Sequence, residues 1–164
     1  MRGTMEKLTV VGMTPESFQG YGEVLSVGPG APMGSSEEFT YWGKVAELKV
    51  GDMVSTGYLS CKPRAGVLRQ LERHLHTPEI LVALRGDSLV CMARPSASGS
   101  KSIDGLQAFH VRQGQAFAMA PGTWHWAAFP IGKTEAVFLV VFASGTEGAD
   151  LEFTALDGAR EVRR

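Results

Sequence analysis

The chain has 164 residues, 44% hydrophobic and 20% charged, with a formal net charge of −1. That length supports one domain, residues 1–164, with a sizeable core of its own, and the near-neutral charge gives no grounds for nucleic acid or an acidic membrane as partner. Two cysteines, Cys61 and Cys91, are too few for a disulfide framework and are expected to be reduced and packed.

The first ten residues carry charges but no apolar run of a signal peptide. Leu8 to Val11 reads as a strand. Thr14-Pro15-Glu16 then has the marks of a short helix: a threonine cap, proline in the first turn and an acid near the N-terminal dipole. Gly20 and Gly22 end it. Val24 to Val27 is extended, and Gly28 to Glu38 is a Gly-, Pro- and Ser-rich surface loop. Phe39 to Trp42, Val45 to Val50 and Met53 to Lys62 are strand-like, separated by Gly43 and Gly51-Asp52. Glu79 to Leu84 and Ser88 to Met92 flank an Arg85-Gly86-Asp87 turn, and Pro95 to Asp104 is a second polar loop. Gln107 to Val111, Gln115 to Met119, Trp124 to Phe129, Ala136 to Phe142 and Leu151 to Ala155 complete the set. The longest apolar run, Ala136 to Ala143, is too short to span a bilayer. Many short strands with hardly a helix indicate an all-β sandwich or barrel, soluble and cytoplasmic.

The informative stretch is Leu71 to Gly86. In an extended strand, residues two apart share a face, so Glu72, His74 and His76 point one way and Arg73 and Leu75 the other. Glu79 follows three residues later. The chain has four histidines, and two imidazoles converging with a carboxylate suit a divalent metal such as zinc, nickel, manganese or iron. A second stretch, Gly114 to Trp126, places His125 just after a Pro121-Gly122 turn that sets the register of the strand leaving it. A closed antiparallel barrel brings such distant strands together.

Gly66, His74-x-His76, Glu79 and Gly86, followed by Gly114, Pro121-Gly122 and His125, resemble the two motifs of the cupin superfamily. The resemblance implies a double-stranded β-helix, or jelly-roll barrel, in which His74, His76, Glu79 and His125 hold the metal. Glu72 is the natural substitute for Glu79, which follows His76 by one residue fewer than the usual pattern. A narrower likeness runs along nearly the whole chain. Thr14-Pro-Glu-Ser-Phe-Gln-Gly-Tyr-Gly-Glu-Val, Leu71-Glu-Arg-His74, Trp124-His125, Phe138-Leu-Val-Val141 and Gly148-Ala-Asp-Leu-Glu152 are similar to the ureidoglycolate lyases, also called ureidoglycolate hydrolases, of allantoin breakdown. The chain departs from that family at Leu75, Trp126 and Phe142.

The implied reaction releases urea and glyoxylate from ureidoglycolate. Glu72 or Glu79, whichever is not a ligand, is the expected proton carrier. From the basic stretch that holds Lys62, Arg64, Arg69 and Arg73, one arginine is expected to hold the substrate carboxylate. Arg73 is the candidate beside the reacting groups and Arg64 and Arg69 are the candidates for binding. Trp124 and Trp126 are expected to line the pocket. Other metal cupin enzymes, a dioxygenase or an isomerase, and a non-catalytic small-molecule binder are the alternative readings. The resemblance also implies a homodimer, with Phe39, Tyr41 and Trp42 as a candidate contact.

Overall fold

The computed structural model describes residues 5–164. In chain order the strands are β1 (Glu6–Lys7), β2 (Val10–Gly12), β3 (Gly22–Val24), β4 (Gly34–Ser35), β5 (Thr40–Tyr41), β6 (Val54–Cys61), β7 (Val67–Arg73), β8 (Glu79–Arg85), β9 (Ser88–Ala93) and β10 (Gln107–Val111). They continue with β11 (Ala116–Met119), β12 (Trp124–His125), β13 (Phe129–Pro130), β14 (Ala136–Ala143) and β15 (Glu152–Glu161), with a one-turn helix α1 (Thr146–Ala149) before the last.

One sheet runs β1-β15-β7-β12-β9-β10-β2, with β13 also paired to β9, and the other runs β3-β11-β8-β14-β6. From β6 onward the chain winds back and forth between them. Strands β6, β8, β11 and β14 join the second sheet, and β7, β9, β10, β12, β13 and β15 join the first. This winding of two antiparallel layers is a double-stranded β-helix, the architecture expected from the sequence.

Alternation along the strands explains the layering. On β14, Ala136, Phe138, Val140 and Phe142 point inward and are buried, while their neighbours are half-exposed. They meet Val90, Met92 and Phe109 of the opposite sheet in one core. Strand β9 is buried throughout, so both of its faces need cover. Val90 and Met92 face the barrel interior, whereas Leu89, Cys91 and Ala93 join a second cluster with Leu68, Leu71 and Trp124. Each large side chain buried this way contributes about 1.5–3 kcal/mol of transfer free energy. Gly66 is required where β7 begins: a Cβ there would lie 2.0 Å from the Val162 carbonyl oxygen. Both cysteines are buried and free.

Three expectations need correction. Pro15 to Tyr21 form a series of turns and not a helix. The cap itself exists, since Ser17 N–H donates to Thr14 Oγ1 and Thr14 N–H to Ser17 Oγ. Gly20, at φ +88°, breaks the chain before a second turn can form, and the segment is held by core packing of Phe18 and Tyr21. Val45 to Val50 is irregular, and Trp124 to Phe129 splits into β12 and β13. Neither segment keeps a continuous ladder partner along its length, and apolar patterning alone does not supply one.

Candidate metal centre

Three buried side chains from both sheets converge inside the barrel. His74 follows the last residue of β7, His125 is on β12, and Glu79 is the first residue of β8. Glu79 Oε2 lies 3.2 Å from His74 Nε2 and 3.0 Å from His125 Nε2. One ligand atom from each of the three lies within 4.8 Å of the others, and exposure is 7%, 7% and 6% for His74, Glu79 and His125. Glu72, paired directly across from His125 on β7, brings Oε1 to 3.8 Å from His125 Nε2 and is partly exposed.

The backbone fixes how the two imidazoles are presented. His74 Nδ1 is 2.7 Å from the Asp150 carbonyl oxygen and His125 Nδ1 is 3.0 Å from that of Thr123. A carbonyl only accepts, so in each neutral ring Nδ1 carries the hydrogen and Nε2 offers a lone pair inward. Neither Nε2 then has a hydrogen for Glu79, and Glu79 Oε2 is buried without a hydrogen-bond partner. Two lone pairs and a carboxylate oxygen facing one point, with carbonyls behind the rings, suit a divalent cation. Without a cation, protons take its place. Burial, the largest single influence, opposes charge on all three groups. The mutual attraction of Glu79 and the two histidines outweighs it, raising His74 and His125 above the ordinary imidazole range and holding Glu79 down at about 2.

Local turns set these positions. Gly122 adopts φ +86° and its N–H donates to the His74 carbonyl at 2.6 Å, tying the two histidine segments together. On the other side, Asp150 Oδ1 and Oδ2 accept the N–H groups of Leu75 and His76 at 2.7 and 2.8 Å. Asp150 was not among the expected site residues, although it lies in the Gly148-to-Glu152 stretch similar to the ureidoglycolate lyases. Its carboxylate clamps the chain where β7 ends.

That clamp overturns the expectation for His76. Strand β7 stops at Arg73, so period-two alternation does not carry past it. The His76 side chain is 81% exposed, and its Nδ1 lies 3.1 Å from Asp150 Oδ1. It takes no part in the cluster. Arg73 is also displaced from its expected role. It points to the other face of the sheet, fully buried, with its guanidinium donating to Glu152 and Ser96 over the Trp124 ring. Trp124 lies there too, its indole N–H donating to Ser96 Oγ, on the far side of the sheet from the site. Arg64 donates to the carbonyls of Ala127 and Ala128 and stacks on Phe129. Arg69 is exposed on β7.

Two cavities adjoin the cluster. An outer one of about 280 Å³ reaches solvent past Gly57, Tyr58, Glu147 and Leu151, with Glu72, His74 and Glu79 in its wall. A deeper one of about 70 Å³ is bounded by Glu72, Glu79, His125, Trp126 and apolar side chains including Leu81 and Phe138. No lysine or arginine among the described residues lines either. Of the expected pocket residues, the structure therefore brings together Glu72, His74, Glu79, His125 and Trp126.

Among solved structures, the chain is similar to a dTDP sugar isomerase from Desulfovibrio desulfuricans G20, with 14% identity, 83% of each chain covered and a TM-score of 0.49. It is also similar to an uncharacterized conserved protein with a double-stranded beta-helix domain from Klebsiella pneumoniae, with 14% identity, 88% and 96% coverage and a TM-score of 0.43. Oxalate decarboxylase from Bacillus subtilis matches at 18% identity over 63% of this chain, with a TM-score of 0.43, and the match spans 24% of the decarboxylase. No curated protein matches the sequence. The family profile described as ureidoglycolate lyase matches residues 5–163, and on that match the chain belongs to the ureidoglycolate lyase family.

Proposed function

We propose that the protein is a metal-dependent lyase that releases urea and glyoxylate from ureidoglycolate. The observation that carries the reading is the buried, unpartnered Oε2 of Glu79 between two Nε2 lone pairs. His74, Glu79 and His125 would hold the cation, which is nickel, manganese, zinc or iron on donor type. A bound divalent ion supplies chelation of the substrate carboxylate and hydroxyl and makes the hydroxyl more acidic.

The chain's own groups do the rest. Glu72 stands beside the ligand cluster and faces the outer cavity, so it takes the hydroxyl proton. As the carbon–oxygen double bond forms, the carbon–nitrogen bond breaks, and Glu72 returns that proton to the departing nitrogen of urea. With no cationic side chain among the described residues lining the cavities, Arg64, Arg69 and Arg73 are not assigned to the carboxylate. The apolar wall of the deeper cavity, with Trp126, excludes water from the reacting carbon. We place the protein in the cytoplasm as a homodimer, with the exposed Phe39, Tyr41 and Trp42 as contact candidates.

The test is to load purified protein with each of the four metals and assay glyoxylate from racemic ureidoglycolate. Turnover that is lost in Glu72→Gln with the metal retained supports the reading. No turnover above background with any metal removes it.

A further inference from the structure

We infer that Gly57 is the specificity-determining residue at the mouth of the site, its missing side chain leaving open the path by which a small hydroxy-acid substrate reaches the metal cluster. Gly57 lies in the middle of β6, an edge strand of its sheet. It pairs with Val140, one of the inward-facing residues of β14. Cross-strand partners share a face, so position 57 faces the barrel interior. The same face carries Leu59, opposite Phe138. Side-chain bulk therefore falls away at Gly57, where the outer cavity opens beside His74 and Glu79.

Glycine inside a strand weakens it, and its usual justifications are a bulge, a close backbone or a ligand that must approach. The β6–β14 register runs unbroken from Val54 to Cys61, so there is no bulge on this ladder. A Cβ built at Gly57 meets nothing within 4 Å and the backbone has no positive φ, so no neighbour or strain demands glycine. Ligand approach is the justification left. The contrast with Gly66, where a Cβ would meet a carbonyl oxygen at 2.0 Å, separates a glycine kept for the fold from one kept for the cavity.

The inference rests on the reading of His74, Glu79 and His125 as a metal site, and the experiment separates the two. Wild type, Gly57→Ala, Gly57→Val and Gly57→Phe are loaded with Co(II). Glycolate, which has the carboxylate and hydroxyl of the proposed substrate, is titrated while the visible spectrum of the metal is followed. All four proteins are expected to bind Co(II) equally and to melt no lower than wild type. Glycolate affinity and ureidoglycolate kcat/KM should stay within about twofold in Gly57→Ala, fall in Gly57→Val and drop on the order of a hundredfold in Gly57→Phe. If wild type binds glycolate but makes no glyoxylate, the lyase reading fails, and the gate stands if Gly57→Phe blocks glycolate. Equal glycolate binding in wild type and Gly57→Phe overturns the inference. Loss of Co(II) in Gly57→Val and Gly57→Phe, or no glycolate response in wild type, also overturns it.

Discussion

Replacing Asp150 with alanine tests how the metal cluster is held without touching a proposed ligand side chain. The carboxylate accepts two backbone N–H groups, from Leu75 at 2.7 Å and His76 at 2.8 Å. A hydrogen bond to a charged group contributes about 1.5–3 kcal/mol, and the full value is lost only where water cannot substitute. The Leu75 N–H is partly buried and the His76 N–H is exposed, so Asp150→Ala should cost about 2–3 kcal/mol in a urea titration at neutral pH. The His74 Nδ1–H is anchored on the main-chain carbonyl of the same residue. Loosening the clamp therefore misplaces that ring, and a disturbed supporting contact weakens metal binding about 10- to 100-fold. Competition with a chromophoric chelator measures it. Burial pushes Asp150 up, but the two N–H groups and the His76 ring outweigh it and hold the carboxyl below its ordinary 3.8. The stabilisation is then complete above 3.8 and fades as acid protonates the folded carboxylate, so the gap between wild type and variant should narrow below that pH. A variant within about 0.5 kcal/mol of wild type, with unchanged metal affinity, would refute the clamp.

Four further outcomes follow from the geometry. His76→Ala should leave zinc affinity within about twofold, because the ring lies outside the cluster, whereas His125→Ala should weaken it by at least about 100-fold; calorimetry that ranks them the other way removes the proposed ligand set. Because Glu79 raises His74 and His125 in the metal-free protein, protons compete above the ordinary imidazole pKa. Zinc should bind more weakly and displace more protons at pH 6.5 than at pH 8, and a pH-independent affinity would contradict this. Glu152→Ala removes a half-exposed carboxylate from the fully buried Arg73, which keeps its Ser96 contacts, and should cost about 1–2 kcal/mol while leaving metal affinity intact; lost metal with unchanged stability would return Arg73 to the site. Burial pushes Cys91 up to about 12 and also raises Cys61, so neither should react with a thiol reagent at pH 8 until the protein unfolds. Rapid labelling of the native protein would contradict the packing.

Period-two patterning and glycine-proline punctuation were enough to identify the all-β class and most strands between Met53 and Phe142, such as β6, β8, β9, β10 and β14, because side-chain alternation is a local property of an extended chain. The same local signal placed His125 after its turn. Residue type also marked Thr14 as a cap, and the structure gives it Ser17 as partner, but a cap does not make a helix when Gly20 follows within two turns. The Val45-to-Val50 segment looked equally strand-like and found no partner, since pairing depends on what the rest of the chain brings alongside.

At the site, the sequence by itself selected Glu72, His74, Glu79 and His125 as candidates but left His76 equivalent to His74. Tertiary structure separated them: β7 ends at Arg73, and Asp150, arriving from the far end of the chain, clamps the next residues so that one imidazole turns inward and the other to solvent. Alternation already put Arg73 on the face away from Glu72 and His74; tertiary structure decided what it meets there, Glu152, Ser96 and Trp124, and that Arg64 is occupied by backbone carbonyls. Alternation fixes which face a residue takes only while the strand continues. Which face becomes the interior, and what meets the side chain there, depend on contacts between segments far apart in sequence.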